Sequence, residues 1–232
     1  CVSGAGAIIV DYKAKTVTIE GVTYKEGDYI SLNGSTGQVY AGQIETRAAE
    51  LSGDFKALMD LCDKYTHMQV RTNADTPHDA EVARAFGAKG IGLTRTEHMF
   101  FEDKKIIAMR EMILAKDSEG RQKALAKLLP YQKADFKGIL EAMDGYPVNI
   151  RLLDPPLHEF VPHDLAGQQT MAKEMGVSVE EIQQRVNSLA ENNPMLGHRG
   201  CRLGITFPEI TAMQTRAILS AACELKKEGK HP

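Results

Sequence analysis

GIGLTRTEHMFF (residues 90–101) and VNIRLLDPPLHEF (residues 148–160) are the two stretches that decide the fold. Each begins with a short apolar run that predicts a β-strand and then changes to polar or proline-rich sequence. Arg95 and Arg151 lie at the two points of change, so both are predicted at strand ends. In α/β folds built from parallel strands, the chemistry lies at the carboxyl ends of the strands.

Strand-end arginines predict a binding site for an anion. The guanidinium group is permanently charged, and its planar fork matches the oxygens of phosphate two at a time. A third arginine, Arg199, lies in GHRGCRL (residues 197–203). A lone arginine at a strand end is usually a surface residue in an ion pair, but three near successive strands favour one common site. Arg95, Arg151 and Arg199 are therefore the candidate ligand-binding residues.

Three further residues have two interpretations each. Arg71, in VRTNAD, ends the first predicted strand and could either line the same site or form a structural ion pair. Asp154 and Glu159, in LDPPLHEF, could either order the arginines or cap the loop that carries them.

Strand and helix patterns alternate from about residue 67. Predicted strands are residues 68–75, 90–97, 148–154 and 201–207, and predicted helices are residues 78–87, 104–114, about 119–143 and 208–227. Alternation of this kind favours a parallel sheet, either a βα barrel or a doubly wound sheet. A polar helical segment at about 164–192 interrupts it as an insertion. Since a complete eight-unit barrel takes ~250 residues, we expect the first half of a barrel, a partial TIM-type (β/α)8 fold.

The first part of the chain has a different pattern. Residues 1–44 alternate β-branched or aromatic residues with polar ones, and this segment predicts short strands of an all-β unit too small for its own core. Residues 45–66 are rich in helix formers with an apolar stripe at helical spacing, so we predict a helical linker. The stripe consists of Leu58, Leu61, Cys62 and Tyr65.

Composition excludes several classes of protein. The formal net charge is −3, without a basic stripe for a nucleic acid. No apolar run approaches the ~18 residues of a membrane span, and the first residues lack a secretory signal. Four widely spaced cysteines without a CxxC pair favour reduced thiols in a cytoplasmic protein, with Cys201 as a small buried strand residue. The chain starts at CVSG without a methionine, so we expect it to be part of a longer protein.

The arginine motifs resemble the pyruvate phosphate dikinase family. The resemblance rests on GIGLTRTEHMFF, RLLDPPLHEFVPH (residues 151–163) and NPMLGHRGCRLG (residues 193–204), and it extends from CVSG to the predicted helix that begins at Pro208. The strand with Arg-Thr-Glu alone would also admit phosphoenolpyruvate synthase and the first enzyme of the sugar phosphotransferase system. The LDPPLHEF run favours the dikinases over both.

The resemblance implies a domain order and an activity. Residues 1–44 would end a swivelling phosphohistidine domain, residues 45–66 would be a linker, and residues 67–232 would begin the barrel that binds phosphoenolpyruvate and pyruvate. Enzymes of this family interconvert ATP, phosphate and pyruvate with AMP, diphosphate and phosphoenolpyruvate. The family pattern assigns Arg95 and Arg151 to the phosphoryl group and Arg199 to the same site.

The resemblance also implies what lies elsewhere. The ligands of Mg²⁺, the general-acid cysteine and the carrier histidine, which belongs to a Thr-Ser-His motif, match no part of this sequence. We therefore expect His98, His158 and His198 to have no catalytic role and the isolated chain to be inactive. The intact enzyme is expected to be a cytoplasmic homodimer. A non-catalytic module that kept only the anion site is the remaining alternative.

Overall fold

The computed structural model describes residues 2–47, 52–101 and 103–232. Its contacts divide the chain into two compact units, one up to residue 51 and one from residue 52 onwards. The domain boundaries predicted at residues 44 and 66 stay predictions, but the helix of the predicted linker groups with the second unit.

The first unit consists of short antiparallel strands, as the alternating sequence predicts. They are β1 (Ile8–Asp11), β2 (Thr16–Ile19), β3 (Val22–Lys25), β4 (Ile30–Asn33) and β5 (Gln38–Ala41). The first three form one sheet, and β4 and β5 form a hairpin. Asp11 and Asn33 each accept backbone N–H groups two and three residues ahead, which is how Asx side chains close tight turns.

The second unit alternates helices with parallel strands. Its elements are α1 (Gly53–Tyr65), β6 (Thr72–Asn73), α2 (Pro77–Ala85), β7 (Ile91–Arg95), α3 (Asp103–Leu114), α4 (Ser118–Ala142), β8 (Val148–Arg151), α5 (Leu165–Met175), α6 (Val179–Ser188), α7 (Cys201–Thr206) and α8 (Pro208–Lys227). The sheet has the order β6-β7-β8, and both of its pairings are parallel. The predicted α/β class is confirmed, while no closed barrel forms among the described residues.

Two apolar cores hold the second unit together. One joins the sheet to α2, α4 and α8 through buried residues that include Ile91, Phe136, Ile139, Met143 and Ala217. The other packs α3 against α5, α6 and the segment after β8, and it includes Phe100, Met109, Met112, Phe160 and Met171. Helices α4 and α8 pack against one another more extensively than any other pair of elements. This pair forms the rigid backing of the sheet.

Charged groups add specific links between α4 and α8. Arg121 donates from Nε to Glu209, and its guanidinium lies 4.4 Å from the ring centroid of Phe207. Lys133 donates to Glu224 several turns further along the same two helices. Pro208 occupies the first turn of α8, as its missing N–H allows.

The predicted fourth strand is wrong, since residues 201–207 contain helix α7. Gly200 starts this helix at φ +56°, and the N–H groups of Gly204 and Phe207 bond to carbonyls four residues back. Six residues are too few for a period to separate helix from strand. The packing of Gly200 against Asp154 decides instead, with the N–H of Gly200 donating to the carbonyl of Asp154 at 3.0 Å. Cys201 is accordingly an exposed helical residue and not a buried strand residue.

The predicted insertion is helical throughout its two helices, whereas the predicted linker is only partly helical. The insertion at about 164–192 is helical, as α5 and α6. Within the predicted linker, residues 45–47 are not helical, residues 48–51 lie outside the described residues, and α1 supplies the rest. The apolar stripe of α1 contributes no buried residue to the core. None of the helices in the described ranges combines the length and apolar character needed to cross a bilayer.

The link between Arg121 and Glu209 should make stability depend on pH. Burial raises the pKa of Glu209, but the hydrogen bond and charge of Arg121 lower it more, so the net pKa lies below its ordinary value. A depressed folded-state pKa stabilises the fold above the unfolded pKa of about 4.3, and this contribution is lost as the pH falls through the folded pKa. At pH 7 we expect Glu209→Gln to lower the free energy of unfolding by about 1–3 kcal/mol.

Urea unfolding at pH 7 and pH 3 checks this expectation. The difference between the wild type and Glu209→Gln should shrink at pH 3. The exposed Glu180 on α6, changed to Gln, is the matched control and should alter stability little at either pH. An equal effect of the two substitutions at pH 7 would contradict the assignment.

Candidate anion-binding site

Arg95 and Arg151 are cross-strand neighbours at the carboxyl ends of β7 and β8. Their Cα atoms are partners in the parallel register. Both side chains remain about one-third exposed, at 35% and 38%. The prediction that both arginines lie at strand ends is therefore confirmed, and the register adds that they are direct neighbours.

Asp75, two residues after β6, holds Arg95. Its carboxylate accepts the backbone N–H of Arg95 at 2.7 Å, and it accepts Nε at 3.1 Å and Nη2 at 2.6 Å. The ring Nδ1 of His98 lies 2.8 Å from the same carboxylate. The side chain of Asp75 is only 10% exposed. Backbone and side chain of Arg95 are thus tied to one carboxylate on the neighbouring strand.

Arg151 is held by Glu97, two residues beyond Arg95 on the same turn. Nη2 of Arg151 donates to Oε1 of Glu97, whose side chain is 6% exposed. On its other side, Nη1 of Arg151 lies 3.5 Å from Oδ2 of Asp154. Asp154 in turn accepts Nη2 of Arg199 at 2.5 Å. Asp154 thus joins Arg151 to Arg199, and the strand pairing places Arg95 beside Arg151; the three residues are called here the arginine cluster.

The carboxylates and the arginine cluster stabilise each other's charges. Burial raises the pKa of Asp75, but the hydrogen bonds and charge of Arg95 outweigh this and leave it below its ordinary value. The hydrogen bond to Asp75 raises the pKa of Arg95, and the bond to Asp154 raises that of Arg199. Asp75, Arg95 and Arg199 therefore stay ionised at neutral pH.

Two buried glutamines, on α8 and α4, hold the loop after β8 in place. Gln214 of α8 accepts the backbone N–H of Leu153 at 2.8 Å and donates to Gln132 of α4 at 3.1 Å. Both glutamines are fully buried. Because Asp154 follows Leu153 directly, this relay fixes the carboxylate that joins Arg151 to Arg199.

Some hydrogen-bonding capacity in the cluster is unused. Nε of Arg151 and Oε2 of Glu97 are buried and have no hydrogen-bond partner among the described residues. Buried polar atoms are nearly always paired, so such atoms indicate a place where a further polar group fits. A donor of this kind beside a row of guanidinium groups suits an oxyanion.

The three residues with two interpretations each, Asp154, Glu159 and Arg71, have different outcomes. Asp154 contacts both Arg151 and Arg199, which bears out the first interpretation of it. Glu159 is exposed and its carboxylate forms no hydrogen bond or ion pair with the described residues, although its charge adds to the effect of Asp154 in raising the pKa of Arg199. Arg71 was predicted at a strand end, but it precedes β6 and packs beside Gly90 and Gly92, which mark the amino-terminal end of the sheet. The interpretation that Arg71 lines the site is wrong because β6 starts later than its sequence suggests, and Arg71 forms no ion pair with the described residues either.

The three histidines beside the motifs have local contacts. His98 bonds to Asp75, and the ring of His158 lies 5.8 Å from the ring of His163. His198 bonds through Nε2 to the hydroxyl of Thr206 at 3.0 Å. Arg199 lies in the loop before α7. It does not flank a strand, as the wrong prediction of a strand at residues 201–207 had suggested.

Sequence reasoning missed Asp75 and Glu97 as members of the site. A signal for Asp75 existed, because it closes the predicted strand MQVRTNAD just as Arg95 closes the next one. For Glu97 no signal in the sequence separates a buried carboxylate from an exposed one. Groups of three or more carboxylate, imidazole or thiol side chains able to hold a metal ion do not occur among the described residues.

Comparison with known proteins identifies the family of this chain. Residues 49–228 match the family model described as "PEP-utilising enzyme, PEP-binding domain", and the chain belongs to this family. Relatives named pyruvate, phosphate dikinase match nearly the whole chain. The protein of Clostridium symbiosum is 54% identical over 98% of this chain, that of Giardia intestinalis 56% over 99%, and the chloroplastic protein 1 of Arabidopsis thaliana 50% over 99%.

The resemblance to the dikinases is thereby confirmed. The chain spans about a quarter of the length of these relatives, 26%, 26% and 24% respectively.

The glutamine relay gives a prediction about the loop. Gln214→Leu would leave the buried N–H of Leu153 without its acceptor, at a cost of about 1–3 kcal/mol in the free energy of unfolding. It should also increase amide hydrogen exchange at residues 153–154. Gln122→Leu, an exposed position on α4, is the control and should do neither. Unchanged exchange at residues 153–154 in Gln214→Leu would count against the relay.

Proposed function

We propose that this chain supplies the phosphate-gripping part of the phosphoenolpyruvate and pyruvate site of a pyruvate phosphate dikinase. The whole enzyme would interconvert ATP, phosphate and pyruvate with AMP, diphosphate and phosphoenolpyruvate through a phosphohistidine. The observation that carries the proposal is the adjacency of Arg95 and Arg151 at the ends of two parallel strands. Family membership and the names of the relatives support it.

The chemical role follows from the charge of the reacting group. Phosphoenolpyruvate has a phosphate and a carboxylate, and phosphoryl transfer spreads negative charge over the equatorial oxygens of the transferring group. Fixed guanidinium groups stabilise that charge without having to reorganise at the moment of reaction. Arg95 and Arg151 would hold the phosphoryl group, and Arg199 would complete the same site.

The remaining parts of the reaction are assigned to other regions of the enzyme. The carrier histidine, the general-acid cysteine, the nucleotide site and the ligands of Mg²⁺ would come from outside this chain, and no step proposed for these residues runs through the metal ion. Residues 67–232 would be the first part of a TIM-type barrel, with the three parallel strands as part of its wall. We place the homodimeric enzyme in the cytoplasm, where the free thiols of Cys62, Cys201 and Cys223 stay reduced.

Substitution of either strand-end arginine tests the proposal. In the full-length enzyme, Arg95→Leu or Arg151→Leu should lower the rate of the pyruvate half-reaction by at least ~10²–10³-fold, the usual effect of losing one preorganised donor. Phosphorylation of the carrier histidine by ATP should be unchanged, because that chemistry belongs to another domain. Lysine should rescue poorly, since an ammonium group cannot reproduce the bidentate fork.

Rapid-quench measurement of the two half-reactions separates the outcomes. Arg71→Leu, at the opposite end of the sheet, is the matched control and should have a far milder effect. Equal losses in both half-reactions of a folded variant, or survival of phosphoenolpyruvate turnover without Arg95, would contradict the proposal.

The 232-residue chain alone should bind phosphoenolpyruvate without converting it. It lacks the Thr-Ser-His motif of the carrier histidine, so no phosphoryl acceptor of that kind is present. Calorimetric titration measures binding, and a coupled assay for pyruvate measures conversion. Pyruvate formation by the purified chain would contradict the assignment of phosphoryl transfer to other regions of the enzyme. If the chain binds phosphoenolpyruvate but its arginines prove unnecessary for turnover by the full-length enzyme, the non-catalytic module is favoured instead.

A further inference from the structure

Asp75 has more contacts with the arginine cluster than any simple charge partner needs. Its two oxygens accept the backbone N–H, Nε and Nη2 of Arg95, and His98 approaches the same carboxylate at 2.8 Å. We propose that Asp75 is a positioning residue, which fixes the plane of the Arg95 guanidinium so that its remaining edge meets the phosphoryl group. The inference rests on the function proposed for Arg95.

The geometry of the guanidinium explains why the carboxylate matters. Arginine offers a bidentate partner either its Nε–Nη2 edge or its Nη1–Nη2 edge. Asp75 occupies the first edge, so Nη1 and the second edge are left for a ligand, and Nη1 has no hydrogen-bond partner among the described residues. A free arginine side chain has ~2 kcal/mol of rotamer entropy to lose on binding. Asp75 removes most of that cost in advance.

The anchor itself is rigid. Asp75 is 8% exposed as a residue, and it directly follows Ala74, a buried member of the apolar core. Nδ1 of His98, in the turn after β7, lies 2.8 Å from the same carboxylate, so the carboxylate cannot rotate without breaking its contacts with both Arg95 and His98. Because Asp75 is held in this way, its hydrogen bonds also fix the orientation of the Arg95 side chain.

Electrostatics alone predicts the opposite sign, and this makes the inference testable. A carboxylate close to an anion site repels the anion, so removal of its charge should tighten binding if charge were its only influence. If Asp75 instead preorganises Arg95, the same removal should weaken binding. The direction of the change therefore separates a positioning role from that of a bystander charge.

Calorimetric titration of the 232-residue chain with phosphoenolpyruvate provides the test. Asp75→Asn keeps the size of the side chain and one oxygen for the backbone N–H of Arg95, but it lacks the charge and cannot accept two guanidinium donors. We expect its dissociation constant to rise about tenfold. The exposed Asp79, four residues further on, is the matched control, and Asp79→Asn should bind as the wild type does.

A double-mutant cycle shows whether Asp75 acts through Arg95. In the Arg95→Leu background, Asp75→Asn should weaken binding no further, because the group it orients is gone. Tighter binding by Asp75→Asn, or the same tenfold loss with and without Arg95, would overturn the inference. If Arg95→Leu itself bound like the wild type, the proposed function of Arg95 would fail, and that result is distinct from failure of the positioning role.

A measurement on the unaltered protein guards against loss of folding in the variants. The Nε–H proton of Arg95 should give a slowly exchanging NMR signal, and this signal should persist when phosphoenolpyruvate is added. Persistence means that Asp75 keeps its edge while the ligand takes the other. Loss of the signal on binding would mean that the ligand displaces Asp75, and the inference would be wrong.

Discussion

The parallel pairing of β7 with β8 sets the central constraint of this protein, because it fixes two cations side by side. Like charges directly opposite on neighbouring strands destabilise a sheet. Arg95 and Arg151 are tolerated because each is joined to its own nearly buried carboxylate, Asp75 and Glu97. Each carboxylate would itself be costly to bury without a cation. The site is therefore a balanced set of charges whose members depend on one another.

The surrounding fold holds these charged residues in place. Helices α4 and α8 back the sheet, and their buried glutamines extend to the loop that carries Asp154. Asp154 then bridges Arg151 and Arg199, which lie on segments 48 residues apart in sequence. A network whose polar groups are nearly all satisfied makes a rigid site, and rigidity is what an anion-binding cluster needs if it is to act without reorganisation. Two buried atoms of this network, Nε of Arg151 and Oε2 of Glu97, have no hydrogen-bond partner among the described residues.

Sequence reasoning succeeded where patterns were long or where one residue type has a narrow set of uses. The long helices, the alternating strands of the first unit and the position of Arg95 and Arg151 at strand ends could all be predicted this way. It failed at residues 201–207, where the apolar alternation of Leu203, Ile205 and Phe207 imitates a strand. In the structure Leu203 is buried and Ile205 is exposed, as a single helical turn requires. It failed at Arg71 because a two-residue strand has no readable boundary.

By itself the sequence determined the α/β class, through its strand and helix periodicity, and the family, through its motifs. It also identified the three arginines that we propose for the site, because guanidinium chemistry is a property of single residues. Only the tertiary structure decided which carboxylate holds which arginine. Asp75 and Arg95 are twenty residues apart, and Arg199 meets Asp154 across forty-five. Such pairings depend on which strands are neighbours and on how loops pack against helices. No short stretch of sequence specifies which of these residues meet in space. The pairing of each arginine with a carboxylate could therefore be identified only from the tertiary structure.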